Sequence, residues 1–115
     1  MSNAENSGLA HWKNQRLSAL LLIPLTLWML WAFVALTGAD YSGAAEFFRQ
    51  PFHAAMAILT AGIMVYHAQG GITEVCEDYV SPPGLQATLI WLTRLGCLVG
   101  FLATVYSIFI IWQGN

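Results

Sequence analysis

Chemistry concentrates in one segment of the 115-residue sequence, where Tyr66-His67-Ala68-Gln69-Gly70-Gly71 leads on to Glu74, Glu77, Asp78 and Tyr79. His67 lies well inside an apolar stretch that opens at Pro51 and stays free of formal charge up to Glu74. An ionisable side chain in such a setting needs a partner to offset its desolvation, which makes it a functional candidate. Two readings stand: an axial ligand to haem iron, a role imidazole commonly takes, or a histidine hydrogen-bonded to a neighbouring helix. Gly71, four residues on, shares its helix face. Its missing side chain lets a flat macrocycle or another helix approach. Tyr79 offers a phenolic donor on a rigid ring, and Asp78 a carboxylate that tunes or relays a proton. Quinone reduction needs electrons and protons together, so this pair suits a quinone site. The alternative is a solvated helix end with a tyrosine in the interfacial belt.

His53 and the cysteines are less informative. His53 stands fourteen residues before His67, nearly on one helix face and about 21 Å away along the axis. Such a pair could hold two stacked haems if another subunit supplied the opposite ligands. His53 is only two residues past Pro51, however, at the expected interface, where a polar ring costs little and needs no such role. Cys76 and Cys97 form no CxxC or CxxCH pattern. Covalent haem attachment is thereby excluded, and zinc is not expected.

The elements that must position these groups follow from composition and charge. The chain is 57% hydrophobic and 9% charged, with a formal net charge of −2. Soluble domains carry about 25% charged residues, so a soluble enzyme, a disordered chain and a nucleic-acid-binding protein are all poor fits. Charge-free stretches run for 23 residues after Arg16, 24 after Arg49 and 21 after Arg94. About 20 apolar residues cross a hydrocarbon core of about 30 Å. The pattern predicts a single all-α membrane domain over 1–115, with transmembrane helices at about 16–37, 51–74 and 87–112 and a polar N-terminal tail over 1–10. Continuous apolar runs exclude the alternation of a β-barrel. Thr37-Gly38-Ala39-Asp40-Tyr41-Ser42-Gly43 reads as an exposed loop, and Ser81-Pro82-Pro83-Gly84 as the second break. Trp12, Trp91 and Trp112 suit interfacial anchors, whereas Trp28 and Trp31 sit deeper and are expected to pack against protein or cofactor.

With three spans the N-terminus and the second loop share a side, which holds Lys13, Arg16 and Arg94 against Arg49 alone. The positive-inside rule then makes the N-terminus cytoplasmic and the C-terminus periplasmic. The first helix is too long for a signal peptide, and residues 1–10 lack the arginines of a transit peptide. A bacterial inner membrane is the simplest location.

Read together, His67, Gly71, Asp78 and Tyr79 spell H-x3-G-x6-D-Y, and His11-Trp12-Lys13-Asn14-Gln15-Arg16 enters the first helix. In motif, length and topology the chain resembles the D-type hydrophobic anchor subunits of succinate dehydrogenase, respiratory complex II, from His11 onward. The C-type anchor motif, Ser-x-x-His-Arg, is absent. The resemblance implies that His67 is an axial ligand of haem b, with the second ligand coming from a C-type anchor subunit. It implies that Tyr79 hydrogen-bonds a ubiquinone carbonyl with Asp78 beside it. It also implies that Arg16, and more loosely His11, stand near the haem propionates.

The partners implied are the C-type anchor, an iron–sulfur subunit carrying the clusters, and a flavoprotein subunit carrying FAD. The chain itself has no nucleotide-binding glycine motif and no room for a soluble domain. It is therefore expected to be inactive alone and to hold no catalytic residue for succinate oxidation. Two alternatives remain: the anchor of a fumarate reductase or another cytochrome b-type complex, and a small non-redox transport or assembly protein. Transport is disfavoured by the lack of repeated or broken helices with intramembrane acids.

Overall fold

The computed structural model describes residues 3–114, with side chains from Asn6 onward. Four helices and no strand make up the described residues: α1 (Asn3–Ala35), α2 (Tyr41–Arg49), α3 (Pro51–Tyr79) and α4 (Pro83–Trp112). Three of them, α1, α3 and α4, are long and apolar enough to cross a membrane. The chain is thus an all-α, multi-pass membrane protein.

The helices extend past the edges suggested by charge. α1 begins at Asn3 rather than near Arg16, so the expected polar tail is helical from that point; Met1 and Ser2 lie outside the described residues. α3 continues to Tyr79, and α4 opens at Pro83. Charge marks where hydrocarbon ends, whereas a helix needs only paired backbone groups and runs on into the headgroup layer. Proline at the first position of α3 and of α4 removes a donor that would be unpaired there anyway. Pro24 lies inside α1 without ending it. Membrane helices tolerate this because local adjustments and neighbours compensate for the lost bond.

The loop expected after the first span contains a turn followed by α2. Gly38 takes a positive φ of 79° that lets the chain leave α1. Asp40 then caps α2, its carboxylate accepting from Gly43 N at 2.9 Å. α2 is held from afar: Arg49 Nε donates to Ile111 O at 2.9 Å, and Trp112 Nε1 donates to Phe48 O at 2.9 Å.

α3 is the central helix. It packs against α1, α2 and α4, while α1 and α4 do not touch among the described residues. Apart from the larger Leu25 and Ile108, the buried positions among the described residues are small: Ser18 and Ala32 on α1, Ala45 on α2, and Ala54, Thr60, Gly70, Thr73 and Cys76 on α3. Such residues let helix backbones approach closely, which drives packing where lipid removes the hydrophobic effect between helices. Large apolar side chains such as Leu20, Leu27, Val34 and Trp91 are exposed instead. Their surface suits hydrocarbon or another apolar subunit and would be a liability in water.

Candidate functional site around His67

α1 and α3 place His67 at their crossing, half-buried and tied to α1 on two sides. Its Nδ1 lies 2.9 Å from Ser18 Oγ, and Ser18 Oγ lies 3.0 Å from Gln15 O. The Gln15 side chain donates to the His67 carbonyl through Nε2 at 3.0 Å. His67 Nε2 has no partner among the described residues.

That ring borders an open hollow of about 250 Å³ lined by Trp12, Gln15, Arg16, Ala19, His67 and Glu74. The Arg16 guanidinium stands 5.1 Å from the Trp12 ring centroid, where the cation meets an aromatic face. His11 Nε2 pairs with Glu74 Oε1 at 2.9 Å on the rim. The structure therefore brings Arg16 and His67 into one hollow, with His11 attached to it through Glu74.

Gly70 and Gly71 let α1 close in. A Cβ on Gly70 would lie 2.5 Å from Gln15 Oε1, and one on Gly71 would lie 3.3 Å from Gln15 Nε2. Of the two uses open to Gly71, the structure shows the approach of a neighbouring helix.

Asp78 and Tyr79 are not brought to His67. α3 is unbroken between His67 and Tyr79, so the twelve intervening residues separate them by about 18 Å along the axis. Tyr79 is 80% exposed, and neither residue makes a side-chain hydrogen bond or ion pair among the described residues. Their position is set by Gln86 of α4. Its Nε2 donates to Val80 O at 3.1 Å, a carbonyl beyond the end of α3, and shares Cys76 O at 3.2 Å with the Val80 N–H that already pairs it.

A second, larger hollow of about 590 Å³ opens between α1 and α4 over α3, with Asn14, Gln69, Thr73, Glu77 and Arg94 on its walls. Arg94 also lines a neighbouring hollow with Tyr66 and Gln69, and Glu77 and Arg94 make no ion pair among the described residues.

His53 is enclosed by rings. It stacks on Phe47 at 3.9 Å between centroids and 10° between planes, with Trp31 at 5.6 Å and Trp28 at 6.2 Å. Its Nδ1 is buried without a partner among the described residues. Phe47 occupies one face of the ring, and Trp28 and Trp31 pack against protein here.

Haem makes particular demands on a site such as the hollow at His67. Among the described residues no cluster of three or more His, Cys, Asp or Glu groups could hold a bare metal ion. A lone imidazole with a free Nε2 suits a metal that brings its other ligands with it, as haem iron does. Arg16 places a cation in the same hollow, the sign of charge that carboxylate-bearing propionates call for. The hollow's 250 Å³ falls below the ~300–1,000 Å³ of sites that enclose a ligand, so it has room to cover only one side of such a group. The residues present fit haem on those terms.

Gln15, Ser18 and Gln86 were not singled out by spacing. The one signal was that Gln15 and Ser18 are polar, three residues apart and on one helix face at the entry of an apolar run.

Residues 2–108 match the family described as succinate dehydrogenase/fumarate reductase transmembrane subunit. A succinate dehydrogenase hydrophobic membrane anchor subunit from Rickettsia felis is 33% identical over 92% of this chain and 88% of its own. The protein of the same name from Rickettsia typhi is 29% identical over 94% of this chain and 86% of its own. A succinate dehydrogenase membrane anchor subunit from Reclinomonas americana is 28% identical over 77% of each chain.

Proposed function

The chain belongs to the succinate dehydrogenase/fumarate reductase transmembrane subunit family, and from that premise we propose that it is the membrane anchor of a succinate:quinone oxidoreductase, supplies one axial ligand to haem b and forms one wall of a ubiquinone-reduction site. It is a subunit of the enzyme and not the part that oxidises succinate. That step belongs to the flavoprotein, with electrons passing through the iron–sulfur subunit to the membrane. A C-type anchor subunit contributes the second haem ligand and the opposite wall.

The observation that carries the haem assignment is His67 with Nδ1 engaged and Nε2 free, beside Arg16. Haem bound there would supply a one-electron store within the membrane, on the far side of the quinone from the soluble subunits. His67 holds the iron from this side, and Arg16 offsets propionate charge, with His11 and Glu74 closing the rim. Tyr79, at the polar end of α3, donates its phenolic proton in a hydrogen bond to a quinone carbonyl. Asp78 is the adjacent carboxylate through which protons reach the reduced quinone. Succinate oxidation releases the electrons and protons that convert quinone to quinol, so the overall reaction balances without a further reductant.

This end of α3 is cytoplasmic in the proposed orientation, with the N-terminus inside, the C-terminus periplasmic and the complex in the bacterial inner membrane. Quinone is then reduced on the face where the soluble subunits dock.

The test is to purify the complex from native membrane through a tag on this chain, wild type beside His67→Ala. Reduced-minus-oxidised spectra and succinate:quinone activity are recorded on both. A b-type band in wild type that is lost or shifted in His67→Ala, with co-purifying activity, is the expected result. Activity without any haem band would retain the anchor and remove the role of His67.

A further inference from the structure

Ser18 is 3% exposed and stands between two groups that can both accept: Gln15 O at 3.0 Å and His67 Nδ1 at 2.9 Å. A hydroxyl has a single proton to donate. If Ser18 gave it to Nδ1, the Gln15 carbonyl would keep only its helical partner and the ring proton would sit on Nε2, which faces no acceptor among the described residues. If Ser18 gives it to Gln15 O, His67 donates Nδ1–H to Ser18 Oγ and all three groups are satisfied. Buried polar groups in native proteins are nearly always paired, and a donor left without an acceptor costs stability. The second arrangement is therefore the stable one.

We propose that Ser18 is a positioning residue for His67: it fixes the imidazole as the Nδ1–H tautomer, so that the Nε2 lone pair is the ligating atom before any haem arrives. The inference rests on the reading of His67 as a haem ligand given above. Gln15 adds to it by gripping the His67 carbonyl, which fixes the α3 backbone that carries the ring. The bond from Nδ1–H to an oxygen acceptor has a second effect. It raises the basicity of the opposite nitrogen, which favours ferric over ferrous iron and holds the haem potential down.

The proposal is tested in the whole complex, purified from native membrane, with Ser18→Ala, Ser18→Thr, Ser18→Val and His67→Ala. Flavin per anchor reports assembly, haem b per flavin reports retention, and a redox titration with low-spin electron paramagnetic resonance reports the ligand field. Ser18→Ala is expected to assemble and to show a haem midpoint shifted upward, with an altered low-spin signal. Threonine and valine match in size and differ in the hydroxyl, so Ser18→Thr should stay near wild type while Ser18→Val follows Ser18→Ala. That pair decides the matter if the alanine variant fails to assemble. Wild-type midpoint and low-spin signal in the hydroxyl-less variants, with haem lost from His67→Ala, overturn the role of Ser18 alone. Haem retained unchanged in His67→Ala overturns the ligand reading and this inference with it.

Discussion

Gly70 and Gln15 meet so closely that a Cβ on Gly70 would lie 2.5 Å from Gln15 Oε1 and 3.3 Å from Cδ. The absent side chain is what lets the Gln15 amide reach the His67 carbonyl at 3.0 Å. In Gly70→Ala the flexible end of Gln15 swings away and that bond is lost, costing about 0.5–1.5 kcal/mol. Alanine returns about 1 kcal/mol of helix propensity, so the complex should assemble with stability close to wild type. Gly70→Leu has no comparable escape, because its side chain must enter the α1–α3 contact. It should lose several-fold in yield of assembled complex and melt earlier. Equal thermal midpoints for the two variants would show that the close approach is not required.

His11 and Glu74 form a pair of a different kind, with side chains 41% and 49% exposed. Solvent screens them, so Glu74→Gln should change stability by no more than about 1 kcal/mol, and by less at high salt. Arg16→Gln is the informative contrast. It removes the cation in the hollow shared with His67, and it should lower haem per flavin after dialysis while assembly persists. Melting curves at low and high salt, beside the haem-to-flavin ratio, separate the two effects.

The three spans were readable because lipid imposes one simple demand, an uninterrupted apolar run, and Arg16, Arg49 and Arg94 each precede one. α2 was not readable. Its nine residues give no long run, and what holds them are bonds from Arg49 to Ile111 and from Trp112 to Phe48, more than sixty positions apart in the chain. The candidate site divides in the same way. The candidacy of His67 follows from its type and setting alone, whereas that of Tyr79 rests on the resemblance carried by the H-x3-G-x6-D-Y motif. Ser18 and Gln15 act only by facing α3 across a helix contact, and spacing within α1 does not reveal what stands opposite.

α2 should therefore depend on its distant clamps. Trp112→Phe keeps the ring and removes the Nε1–H that pairs Phe48 O. Arg49→Gln removes the Nε donor to Ile111 O at the end of α4. Each is expected to cost about 0.5–1.5 kcal/mol, and both together should free the segment around Gly38–Gln50. Limited proteolysis of the detergent-purified complex should then cut the double variant in this segment several times faster than wild type. An unchanged cleavage rate would mean that the packing of Phe47 and Ala45 suffices without the clamps.

Tyr79 and Gln86 allow contact with quinone to be separated from support of the helix end. Tyr79→Phe keeps the ring and removes the phenolic donor, whose net worth of about 0.5–1.5 kcal/mol corresponds to roughly two- to tenfold in rate, since about 1.4 kcal/mol is tenfold. Succinate:quinone activity should fall by that factor. Reduction of a soluble acceptor that draws electrons upstream of the membrane should not change, nor should haem content. Gln86 touches carbonyls and not the proposed ligand: its loss frees Val80 O, leaves Cys76 O with the Val80 N–H alone and lets the last turn of α3 fray. Gln86→Ala should thus raise KM for quinone more than it lowers kcat, because the tyrosine is intact but less often in place. If Tyr79→Phe leaves quinone reduction at the wild-type rate, Tyr79 is an interfacial anchor and the donor to quinone must come from elsewhere in the complex.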